Sequence, residues 1–130
     1  MSFVIEFDAK NNIVRGTLSG RVTDAILSDC YSAAALCTTS HPQCRGILDF
    51  SDVTEAEVSN AAIKQLGVRR PIIASGYIHV IVAPHDFLFG MMRMLQLRSE
   101  ENRLELFVVR TMDEAYRVLH VDAPDFIPVG

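Results

Sequence analysis

The run Tyr77-Ile78-His79-Val80-Ile81-Val82-Ala83 constrains this chain more than any other segment. It carries too little polarity to leave either face of a strand in water, and Pro84 ends any ladder directly after it. A strand of that kind lies inside a sheet whose two faces are covered by helices.

The flanking segments supply those helices. Phe3-Val4-Ile5-Glu6-Phe7 alternates with period two, residues 8–12 read as a turn, and residues 13–18 return as a second strand, so the chain opens with a hairpin. Thr23 caps a first helix on which Ile26, Cys30, Ala34 and Cys37 recur at helical spacing, and the helix stops before His41-Pro42. Residues 45–50 form a third strand, followed by a helix carrying Ala62, Ile63 and Leu66 that ends near Gly67 or before Pro71. After the central strand, residues 86–99 are helical, 104–109 are strand, and Thr111 caps a last helix over 112–120. A hairpin followed by alternating helices and strands predicts an α/β fold: a mixed five-stranded sheet, hairpin plus parallel strands, with about four helices. Residues 121–130 combine Pro124 and Pro128 with Phe126, Ile127 and Val129, and are expected to form an extended tail that packs on the domain.

At 130 residues and 49% hydrophobic the chain suits a single domain, 1–130, with one core. A net charge of -4 with scattered basic residues argues against a nucleic-acid partner. No apolar run approaches the roughly 20 residues of a spanning helix, so no membrane insertion is expected and a cytoplasmic protein is. Cys30, Cys37 and Cys44 match no zinc spacing and read as reduced core residues; neither a metal nor a cofactor is implied. A mean hydropathy of +0.21 is high for a small domain and points to apolar surface that a second copy would cover.

The strongest functional cue is the acidic junction in residues 47–60, where Thr54, Glu55, Glu57 and Ser59 crowd the expected start of the second helix. Thr54-x-x-Glu57 has the form of a capping box, and Ser59-Asn60 offers a second cap. At the next junction His85-Asp86 lies where ligands collect in parallel sheets, beyond the carboxyl ends of strands, which makes an enzyme using these two residues a third possibility. On the third helix, Phe87, Leu88, Met91, Met92, Met94 and Leu95 form a core-facing stripe, with Asp86, Arg93, Gln96 and Glu100 outside. Phe89 falls among those polar residues, so Phe89, Met92, Arg93 and Gln96 have the composition of an interface. Met91, Met94 and Leu95 are candidates to line an apolar ligand pocket.

The opening hairpin, Ile47-Leu48-Asp49-Phe50-Ser51-Asp52-Val53, and residues 107–119 ending the chain's last strand and helix together resemble the STAS family of bacterial anti-sigma factor antagonists and sulphate-transporter tails. Val82-Ala83-Pro84 and Phe89-Gly90-Met91-Met92-Arg93-Met94 are similar to segments of uncharacterised bacterial STAS-like proteins. The resemblance implies a non-enzymatic regulatory or scaffold domain that binds a protein partner, such as a regulator or kinase, and forms a homodimer. Its switch region maps onto Asp49, Glu57, Ser59 and Asn60, but the family's phosphoserine position holds Val58, so the usual modification is lost or moved to Ser59. The alternative is a carrier of a small apolar ligand.

Overall fold

The computed structural model describes residues 2–68, 73, 74, 76–99 and 105–129. The chain runs β1 (Phe3–Asp8), β2 (Ile13–Thr23), α1 (Asp24–Ser40), β3 (Arg45–Glu57), α2 (Asn60–Val68), β4 (Ile78–Val82), α3 (Asp86–Ser99), β5 (Glu105–Val109), α4 (Met112–Leu119) and β6 (Ile127–Pro128). Strand order is β5-β4-β3-β2-β1-β6; β2 to β5 are mutually parallel, while β1 is antiparallel to both of its neighbours. The α/β class and the four helices match expectation, and β4 is an interior strand.

Among the described residues the sheet has six strands, against the five expected. The sixth comes from the tail: Ile127 pairs with Phe7, and the Val129 N–H donates to the Ile5 carbonyl at 2.9 Å. Proline is tolerated there because β6 lies at the edge. The alternation of β-strand side chains divides the core in two. Val14, Leu48 and Ile81 face one side with Leu27, Cys30, Ile63, Leu88 and Met92, so α1, α2 and α3 share that face. Ile13, Ile47, Val80 and Val82 face the other side with Ala115 and Leu119 of α4, Val121 and Phe126.

Capping follows the sequence where the cap is local. Thr23 Oγ1 accepts the Ile26 N–H and Thr111 Oγ1 accepts the Glu114 N–H, as each threonine's place before an apolar stripe demands. Long-range polar contacts then tie the ends of the fold together. Arg45 donates to the Leu119 carbonyl at the end of α4 and to the Asn11 carbonyl in the hairpin turn. Arg15 pairs with Glu6 at 2.8 Å, donates to the Tyr116 hydroxyl and stacks under the Phe126 ring at 4.0 Å, pinning the tail to the sheet. All three cysteines are buried thiols, and burial pushes Cys30 up to about 12 and Cys44 to about 11, which favours the neutral thiol at both. Residues 71, 100 and 104, named above as element ends or outer positions, lie outside the described residues.

Candidate functional site

β3 builds the site by outrunning its neighbour. Gly46–Asp49 lies between β2 and β4, in register with His79–Val82, whereas β3 continues against β2 alone as far as the Thr23–Glu57 pair. Among the described residues, 50–57 therefore have no strand partner on the β4 side. Two irregularities shape this overhang: Thr17 and Ser19 oppose Asp49 and Asp52, then Gly20 and Arg21 oppose Val53 and Glu55, each inserting one extra residue into β3. Such bulges increase local twist and turn an edge away from flat pairing. Gly20 supplies the left-handed backbone, φ 68°, at the second.

Side chains along the overhang split cleanly. Phe50 and Val53 enter the core, as does Val58 just past the strand, while Ser51, Asp52, Thr54, Glu55 and Glu57 are exposed. The acidity of this stretch thus belongs to an exposed strand edge, where charge discourages another copy from adding a strand. The capping box expected of Thr54 and Glu57 is overturned, because both are strand residues. Glu57 instead meets Arg21 at 2.5 Å, and that hydrogen bond holds its carboxyl below the usual range and raises the guanidinium.

The second expected cap is the one used. Ser59 Oγ accepts the Ala62 N–H at 3.1 Å, and α2 starts at Asn60. Asp24, from the first turn of α1, reaches across to accept both the Ser59 N–H at 2.8 Å and its hydroxyl at 2.7 Å. One carboxylate thereby sits at the N-terminal ends of two helices, where the dipoles favour it. A groove of about 240 Å³ separates the helices there, with Asp24, Ser28, Ser59 and Gln65 on its walls. Sequence reading missed Asp24 and Arg21; partners 35 and 36 residues away leave no local signal.

Asp49 does not join this group. It is buried mid-strand, accepting the Ser51 N–H at 2.9 Å and the Ser51 hydroxyl at 2.6 Å. Eight residues of strand put Glu57 roughly 25 Å further along. Glu57, Ser59 and Asn60 do lie close in sequence at the exposed end.

At the next junction, Asp86 and His85 are exposed, and the Asp86 carboxylate accepts Arg110 Nη1 at 2.6 Å. Arg110 also donates to the Pro84 carbonyl and lies 3.9 Å over the Phe89 ring. The acid therefore braces α3 against the end of β5.

The face assignment of α3 requires correction. Leu88, Met91, Met92 and Leu95 are its buried stripe, but Phe87, expected inside, is 57% exposed and Met94 is 36% exposed. Phe89, expected outside, packs against the core beneath Arg110. Met92 is fully buried and Gln96 donates to the Leu106 carbonyl at 2.8 Å, so of the expected interface only Arg93 is exposed. Apolar residues cover more than half the helix circumference, and packing against α2 and β5 chose the phase. The expected pocket is likewise filled, with Met91 and Leu95 as core residues. An apolar cavity lies elsewhere, between α1 and the sheet, but its volume of about 20 Å³ is water-sized and does not accommodate an acyl chain.

Among the described residues no group of three metal-ligating side chains occurs, and no helix is long and apolar enough to cross a membrane. Comparison with family models and with curated proteins finds no match for this chain.

Proposed function

We propose that the chain is a STAS-like regulatory or scaffold domain that acts without catalysis, by binding a protein partner along the overhang of β3 and the start of α2. The observation that carries this reading is the overhang itself: a strand edge without a partner among the described residues, bearing exposed Asp52 and Glu55, that leads into the first turn of α2. The hairpin followed by parallel strands supports the resemblance to the STAS family. Val58, in place of the family's phosphoserine, is buried, and the Ser59 hydroxyl is engaged by Asp24, so a phosphate would bring a second anion against that carboxylate. Recognition in this reading needs no modification. The charges that repel a second copy of the edge select a basic, extended segment.

The doubly reversed Asp52→Lys, Glu55→Lys protein should bind at least 10-fold more weakly to whichever protein the parent retains from its native cells, measured by titration with that purified partner. Equal affinity for both forms would sink the edge as the recognition surface.

Self-association, in this reading, uses the opposite end of the sheet. Leu36 of α1 is 76% exposed, Ile127 and Val129 of the tail are exposed, and a groove of about 390 Å³ runs between α1 and Val129. Leu36→Asp should reduce the sedimentation mass of a dimeric parent to that of one chain, whereas Phe89→Asp should lower stability and leave the mass unchanged. A parent that sediments as a single chain at every concentration ends the homodimer proposal.

A further inference from the structure

His79, on the face of β4 that Ile81 shares with α1, α2 and α3, has no part in the surface described above. Its side chain is in the core, 9% exposed, and none of the described residues hydrogen-bonds its ring. Yet among the described residues every side-chain nitrogen or oxygen sealed from a water-sized sphere has a hydrogen-bond partner. The His79 nitrogens left without protein partners must therefore border space that a water can touch.

His79 lines a cavity between α1 and the sheet, together with Gly16, Cys30, Tyr31, Gly46 and Ile73, with a volume of about 20 Å³. A single water needs at least ~10–15 Å³ of such space, together with polar partners. Two glycines border the cavity. Neither has a positive φ, so the backbone does not require them. A Cβ on Gly16 would stand 3.2 Å from Cys30 Sγ, 3.4 Å from Ile5 Cδ1 and 3.5 Å from Leu48 Cδ1, pressing on the thiol that lines the cavity. A Cβ on Gly46 would stand 2.7 Å from Ile73 Cδ1, so Ile73 already occupies that side.

We propose that this cavity is a binding site for one water molecule, held by the His79 ring with the Cys30 thiol beside it. Neutral imidazole has one donor and one acceptor nitrogen, and a neutral thiol is a weak donor. Apart from Tyr31, which also lines the cavity, the remaining walls are apolar, and the bound water orients the imidazole ring and its tautomer. A larger guest has no room while Ile73 stays in place.

Water–protein Overhauser spectroscopy on the whole chain tests this. In the parent, a long-lived water should show cross-peaks to the His79 ring protons and the Gly16 α-protons. Those cross-peaks should vanish in His79→Leu, which removes the hydrogen-bonding group, and in Gly16→Ala, which removes the space. Should Gly16→Ala fail to fold, His79→Leu alone decides. The proposal is overturned if the parent shows no such water, the more so if dissolved xenon shifts the resonances of Gly16 and His79 and so reports a dry cavity. It is also overturned if the cross-peaks survive in His79→Leu.

Discussion

Acidification from pH 7 to pH 4 should remove about 3 kcal/mol of folding stability through His79 alone. Burial in the apolar core pushes its pKa from 6.5 down to about 4, because the charged imidazolium cannot be solvated there. The unfolded chain therefore binds this proton below pH 6.5 while the folded chain refuses it until about pH 4. Stability is complete above the unfolded pKa, declines through this window as pH falls, and levels off below it. The charge that would form has no carboxylate among its cavity neighbours; Cys30, the thiol there, is neutral throughout. Urea unfolding at pH 7, 5.5 and 4 should show the parent losing this increment relative to His79→Leu. A constant difference between the two proteins across that range would refute the assignment.

The second large effect is expected at Asp8. Its carboxylate is fully buried at the hairpin turn, where it accepts the Asn11 N–H at 3.0 Å, the Asn11 side-chain amide at 2.7 Å and the Asp125 N–H at 3.0 Å. Burial alone would raise its pKa, but the hydrogen bonds from Asn11, Asp125 and Lys10 outweigh that and hold it below the usual carboxylate value. Its contribution is thus present above the unfolded pKa near 4 and is lost as pH falls through the lower folded value, a window below that of His79. Asp8→Ala leaves those donors without their acceptor and should cost about 3 kcal/mol, the range expected for losing charge-assisted buried bonds. The tail should respond as well, because Asp8 fixes Asp125 just before β6. The Val129 amide, bonded to Ile5, should exchange markedly faster in Asp8→Ala. A stability change under about 1 kcal/mol, or unaltered exchange at Val129, would show that the tail is held by Arg15 and Phe126 instead.

The overhang of β3 explains why sequence reasoning ended the third strand too early, at residue 50 instead of Glu57. Ser51, Asp52, Thr54, Glu55 and Glu57 are polar at almost every position, which removes the alternation by which a strand is recognised. The strand persists because β2 continues beside it and because Val53 and Val58 still reach the core. The same polar letters fit a helix start equally well, and only pairing distinguishes them.

Local chemistry was sufficient for much of the architecture. The apolar run 77–83 required an interior strand, Thr23 and Thr111 required helix starts, Ser59-Asn60 was one of two candidate starts for α2, and the alternation of elements required a mixed α/β sheet with about four helices, since each depends on neighbours within a few residues. The tertiary structure alone decided the rest: the tail as a sixth strand, the phase of α3, the clasp of Asp24 on Ser59, and the opening of His79 onto a cavity beside Cys30. In each of these the deciding contact joins residues far apart in the chain, and it prevails because burial and hydrogen-bond satisfaction are settled between elements, where local spacing carries no information.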